Sequence, residues 1–245
     1  MEAPDLETSG EEYATRFSGD VGRYFLDVQE RAVVDLLKRV PGRTVLDVGG
    51  AHGQVAVPLR TNGYEVTILG SSPACDHNLE NRLGREGVFR FVAGDLLNLP
   101  FRDRSFDFVV SFRLLPHVER WKLLIEELAR VARFGVIVDF PTVWSVNLFS
   151  PLLFRLKKRI ERNTRPYTLF TTGSVRKAFH RSGYGNFAAK GQFLFPMALH
   201  RWTGLNRALV AAERVSRRSG ATDRIGSPVI LLAVRNGIPS GGADR

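Results

Sequence analysis

Apolar residues recur at helical spacing between Arg23 and Val40, at Phe25, Val28, Ala32, Val33, Leu36, Leu37 and Val40, which predicts an amphipathic helix that Pro41-Gly42 stops. The pattern then changes. Thr44 to Val48 is a short apolar run interrupted only by Asp47, and Gly49-Gly50-Ala51-His52-Gly53 follows it: strand, tight turn, then a helix from Val55 to Arg60 that Asn62-Gly63 ends. Tyr64 to Leu69, Val88 to Ala93, Phe106 to Phe112 and Gly135 to Phe140 read as further strands. Glu119 to Ala132 reads as a helix with Leu123, Leu124, Glu127, Leu128 and Val131 at core spacing. Strands alternating with helices predict an α/β fold with a doubly wound, mostly parallel sheet and right-handed crossovers.

The second half reads differently. Val143 to Arg162 interleaves Trp144, Leu148, Phe149, Leu152, Leu153, Phe154, Leu156 and Ile160 with five basic residues. Ser174 to Arg181 is predicted as a helix with Ser174 as N-cap and Gly183 just beyond its end. Phe187 to Phe195 and Pro228 to Val234 are predicted strands. Between them Leu205 to Arg218 is a predicted helix whose apolar face is Leu205, Ala208, Leu209, Ala212 and Val215, with its arginines turned away.

Composition narrows the class. A length of 245 residues suits one large domain, 1–245, carrying an insertion at 143–172, and 44% hydrophobic with 24% charged residues is ordinary for a globular chain. The polar ends, Met1 to Glu12 and Asn236 to Arg245, are expected to fray. Residues 1–22 are also a candidate flap: Tyr13, Arg16 and Phe17 either pack on the sheet or close a ligand site. One cysteine, Cys75, excludes an internal disulfide and a multi-cysteine metal site, so no metal is expected. Without a signal peptide or an apolar run of about 18 residues, the cytoplasm is the expected location. The net charge of +10 is uneven: from Pro151 onward 18 Lys and Arg face 4 Asp and Glu. A basic C-terminal half admits nucleic acid or an anionic membrane surface as a partner.

Four separated motifs carry the chemistry. Val45-Leu46-Asp47-Val48-Gly49-Gly50-Ala51-His52-Gly53 resembles the D-x-G-x-G-x-G loop of the class I S-adenosylmethionine-dependent methyltransferases. Phe91 to Phe101, containing Gly94-Asp95-Leu96 and Leu99-Pro100-Phe101, resembles their G-D-[AL]-x-x-L-P-F segment. Ser105 to Ser111 resembles their S-F-D-x-[VI] strand, and Leu115-Pro116-His117-Val118 their L-x-H-[VL] turn. This resemblance covers roughly Gly42 to Phe140. It implies about seven strands with an antiparallel last strand, a helical lid at 143–172, and S-adenosylmethionine as cofactor.

By the same resemblance Asp47 and the backbone of Gly49, Gly50, Ala51 and Gly53 hold the amino-acid end of the cofactor. Gly70 and Ser71 lie at the ribose, Asp95 and Leu96 at the adenine, and Ser111 at the end of the fourth strand. Two positions depart from the pattern. Ala51 replaces the loop's middle glycine, tolerable while φ stays negative. Gly70 stands where an acid should accept from the ribose hydroxyls, a role left to Ser71, Ser72, Asp76 or Glu80. Methyl transfer from a sulfonium needs positioning and exclusion of water more than a nucleophile. His117 is the candidate base for a hydroxyl acceptor and otherwise a helix-capping residue. Arg113 is a candidate contact for an acidic acceptor or a solvated residue, and His52 a surface or helix-start residue. The implied acceptor is a small or lipid-like molecule, with peripheral contact at an anionic membrane. The alternatives are a nucleic-acid methyltransferase and a non-catalytic binding protein on the same fold.

Overall fold

The computed structural model describes residues 2–8, 15, 17–83, 89–143 and 168–238. Its strands are β1 (Thr44–Val48), β2 (Glu65–Gly70), β3 (Arg90–Ala93), β4 (Phe106–Ser111), β5 (Ala132–Phe140), β6 (Tyr184–Phe193) and β7 (Ser227–Arg235). They form a seven-stranded sheet in the order β3-β2-β1-β4-β5-β7-β6. β1 to β5 run parallel, and β7 is antiparallel to both neighbours. The α/β class and the antiparallel last strand are as the sequence predicts.

The described helices are α1 (Pro4–Thr8), α2 (Gly19–Leu37), α3 (Ala56–Thr61), α4 (Pro73–Leu83), α5 (Trp121–Val131), α6 (Thr172–Arg181), α7 (Met197–Thr203), α8 (Arg207–Arg218) and α9 (Ala221–Ile225). A 3₁₀ turn spans Leu115–His117. The central strands are apolar along nearly their whole length because helices cover both faces. Leu46 and Val48 point into the core beneath α5 and α6, whereas Val45, Phe108, Val110 and Ile137 pack under α2 and α3. Since side chains alternate along a strand, Asp47 and Asp139 share the face of Val45 and Ile137, toward α2. Each fully buried Leu, Ile or Val contributes roughly 1.5–3 kcal/mol, so two carboxylates on that face are costly and require a reason.

Several elements differ from the sequence reading. Thr171, not Ser174, caps α6: its Oγ1 accepts from the Ser174 N–H at 3.1 Å. Leu123 is exposed, and Glu127 leaves the core to accept from the Leu99 N–H at 2.8 Å and pair with Arg130, fixing the loop after β3. The N-terminal residues expected to fray include α1. Helix α4 carries no sharp apolar period and went unpredicted. Of the expected lid, residues 144–167 lie outside those described, as do Tyr13 and the last residues of the chain. The residues on either side of 144–167 meet, with the Val143 N–H donating to Phe170 O at 3.0 Å.

The largest reversal is on α8. Part of the predicted inward face is turned out, with Leu205, Ala208 and Val215 exposed and Val215 at 65%, Leu209 and Ala212 only half-buried, and Glu213 fully buried. Glu213 accepts from the N–H groups of Leu194 at 3.1 Å and Phe195 at 2.9 Å and faces His200 Nε2 at 3.3 Å. A carboxylate that terminates β6 outweighs the apolar stripe, because those two amides have no further strand to pair with. Replacing Glu213 with Ala is expected to cost about 3 kcal/mol, read as a lowered urea midpoint; a loss below about 1 kcal/mol would contradict this anchoring role.

Candidate functional site

All the chemistry-bearing turns lie at one edge of the sheet. Register aligns Val48 with Leu69 and Leu69 with Val92, so β1, β2 and β3 end at the same level. Open parallel sheets bind ligands at this carboxyl edge. Gly49 has φ +77° and Gly53 φ +65°, conformations that side chains resist, and they turn the chain sharply out of β1. Gly50 is glycine for another reason: a Cβ there would lie 2.1 Å from Asp47 Oδ2. The bend is therefore folded directly against the carboxylate. Ala51 keeps φ negative and is buried, so the departure from the expected loop costs no backbone strain.

Asp47 is 1% exposed, and neither of its oxygens has a hydrogen-bond partner. Burial pushes its carboxyl up to about 7, with the positive charge of Arg113 only partly offsetting the desolvation. Asp139 on β5 is also buried and is pushed up to about 6 for the same reason, again with Arg113 opposing. One arginine thus serves two buried carboxylates. Arg113 follows β4 in the left-handed region, φ +58°, where the Asp139 carboxylate accepts its N–H at 2.5 Å. Its Nη2 donates to Gln29 Oε1 on α2, and its guanidinium lies 4.1 Å above the Phe17 ring. The solvated alternative for Arg113 is set aside by these contacts.

The cleft beside Asp47 is lined by Gly49, Gly50, His52, Gln54, Val55, Phe112 and Arg113. His52, read from sequence as a surface or helix-start residue, is buried in the turn ahead of α3. Besides Asp47, Gln54 Oε1 and Ser71 Oγ are buried without a hydrogen-bond partner, and the N–H groups of Gly50 and Ala51 have none among the described residues. Buried orphan groups each cost roughly 1–3 kcal/mol. Their clustering at one bend marks a surface complementary to a polar ligand.

The other predicted site residues fall as follows. Gly70 ends β2, and a Cβ on it would meet Cys75 Cβ and Phe91 Cζ at 2.8 Å each. Asp95 Oδ1 accepts from the Leu97 N–H at 2.9 Å, a turn bond within its own loop that leaves Oδ2 for another donor. The Leu96 side chain is in the core, so only its main chain can face a ligand. Ser111 is fully buried and donates to Val48 O at 3.1 Å, tying β4 to β1 instead of facing the cleft. His117 sits in the 3₁₀ turn and is not among the residues lining the Asp47 cleft. The Glu80 side chain lies outside the described residues. Sequence reading missed Asp139, Gln29 and Gln54. Asp139 alone carried a signal, as a lone acid inside an apolar strand.

Residues 46–138 match the family model described as "Methyltransferase domain". A demethylmenaquinone methyltransferase of Paenarthrobacter aurescens is 35% identical over 176 residues, 63% of this chain and 66% of that protein. For the next two curated relatives the match spans 46% and 33% of their length. A structure from Thermotoga maritima, described as a S-adenosylmethionine-dependent methyltransferase and possible histamine N-methyltransferase, superposes with TM-score 0.66 at 21% identity, covering 92% of this chain and 96% of that one. Magnesium protoporphyrin IX methyltransferase of Synechocystis, with bound S-adenosylhomocysteine, gives TM-score 0.60 at 17% identity over 92% and 94% of the two chains.

The buried acid at the bend has a cost that can be measured. Because the folded-state value of Asp47 lies above the unfolded one of about 3.9, ionising it opposes folding, and stability falls as pH rises from there through about 7. Asp47→Asn is therefore expected to melt above the parent protein at pH 8, the gap closing by pH 4.5; at about 2–4 °C per kcal/mol it should reach several degrees. A gap independent of pH would contradict the buried, unpaired carboxylate.

Proposed function

We propose, for a chain that belongs to the class I S-adenosylmethionine-dependent methyltransferases, that it transfers a methyl group from S-adenosylmethionine to a small, lipid-like acceptor. The observation that carries this is the unpartnered, fully buried Asp47 pressed against a glycine bend. An ammonium is the ligand group that this carboxylate lacks, and a carboxylate is what the Gly50 and Ala51 N–H groups lack; the amino-acid end of the cofactor presents both. Gln54 Oε1 and Ser71 Oγ supply further acceptors nearby, and Asp95 Oδ2 with the Leu96 main chain suit an adenine edge.

When bound, the cofactor supplies a sulfonium methyl with a good leaving group, so the chain's part is to align acceptor and donor and to keep water out. Asp47 fixes the donor's amino-acid end. Arg113, held by Asp139, Gln29 and Phe17, sets the field at the cleft: with one carboxylate ionised the cluster is neutral, and an incoming ammonium lets the second ionise. His117 remains the candidate base for a hydroxyl acceptor.

Support for a lipid-like acceptor comes from the edge of the sheet that the bend occupies. β6 runs in the same direction as β5, so α7 and α8 follow it on that same edge. There Trp202 is 84% exposed and Leu205 and Val215 also face solvent, beside the exposed Arg201, Arg207, Arg214 and Arg218. Large apolar side chains among arginines suit the headgroup region of an anionic membrane. The similarity to a demethylmenaquinone methyltransferase is in keeping with this.

Calorimetry with S-adenosylhomocysteine should give saturable binding that Asp47→Ala abolishes; unchanged affinity in the variant would overturn the assignment. The protein should co-sediment with liposomes containing about one third anionic lipid, and Trp202→Ala combined with Arg207→Glu should release it. Equal sedimentation of that variant, or preference for RNA over liposomes, would move the acceptor away from lipids.

A further inference from the structure

The carboxylate missing from the end of β2 is present in space. Gly70 cannot carry it, since any Cβ there would press on Cys75 and the Phe91 ring. Asp5 of α1 lies beside the following residues instead. It is 1% exposed, its Oδ2 accepts from the Ser71 N–H at 2.7 Å, and Cys75 Sγ lies 3.7 Å from the same oxygen. The segment is tied at its other end as well. Glu2 Oε2 accepts from the Glu119 N–H at 2.8 Å, and its Oε1 receives Arg120 Nε at 2.9 Å, contacts that hold the Glu2 carboxyl below the usual range despite some burial.

These two anchors lie on opposite sides of the glycine bend. Ser71 and Cys75 follow β2, Glu119 and Arg120 follow β4, and β1 runs between those strands. Two inter-strand spacings are about 9.6 Å, and three Cα steps from Glu2 to Asp5 reach up to about 11 Å. The strap therefore links the chain after β2 to the turn that follows β4, with one acid at each end. Ser71, whose amide Asp5 holds, also has a buried hydroxyl without a hydrogen-bond partner.

Resting on the reading that the donor binds at this bend, we infer that Asp5 is the acid that accepts from the ribose hydroxyls, delivered by an N-terminal strap instead of by β2. A carboxylate in that position accepts two hydroxyl hydrogens in charge-assisted bonds. The strap then closes over the donor, which makes the N-terminal segment part of the cofactor site.

The test is calorimetry with two probes, S-adenosylhomocysteine and its 2′,3′-dideoxy analogue, on the full chain and on Asp5→Asn. Asparagine keeps an oxygen for the Ser71 N–H, so the strap stays anchored, and an unchanged melting temperature without ligand verifies this. Asp5→Asn should weaken S-adenosylhomocysteine about ten- to hundredfold and leave the dideoxy analogue within twofold of the parent. Equal loss for both probes would make Asp5 a merely structural residue. Unchanged or tighter binding of S-adenosylhomocysteine would make it a bystander or a plug. Either result overturns the inference while binding to the parent protein upholds the function beneath it; no binding to the parent would remove both.

Discussion

One positive charge between two buried carboxylates is the constraint from which the rest of the site follows. Arg113 opposes the desolvation of both Asp47 and Asp139, and burial still pushes the two acids up to about 7 and about 6. Such an arrangement is a poor way to stabilise a fold, since the face of the sheet toward α2 would accept valine or isoleucine at both positions. It makes sense as a stored demand for a cation. The strand ends, the left-handed Arg113 and the inward Gln29 all serve to hold that demand in place.

The glycines follow from the same constraint. Gly50 leaves room for the Asp47 carboxylate and Gly49 reverses the chain, so the Gly50 and Ala51 amides have no partner among the described residues beside an unpaired acid. A ligand carrying both an ammonium and a carboxylate satisfies the two deficits together. Both deficits lie at the carboxyl edge of the sheet, where β1, β2 and β3 end at one level.

The sheet was legible because burial on both faces writes long apolar runs, and the glycine bend because main-chain geometry restricts residue choice. Element ends were read within a few residues. What stayed hidden depends on tertiary partners. Glu213 rotates the buried side of α8 away from the predicted stripe because it answers amides of Leu194 and Phe195, which no periodicity reveals. Arg113 read as ambiguous, since Gln29, Phe17 and Asp139, which hold it, come from α2, the N-terminal leader and β5. Gly70 read as a defect in the site; only the fold shows the crowding by Cys75 and Phe91 that demands glycine, and the acid of Asp5 standing beside it.

The account turns on the ionisation of one side chain, and carboxyl-carbon NMR of Asp47 across pH measures it directly. The free protein should titrate near 7, and addition of S-adenosylhomocysteine should drop the midpoint below about 5, as an ammonium partner favours the charged form. A midpoint near 4 in the free protein, or one that the ligand leaves unmoved, would contradict it.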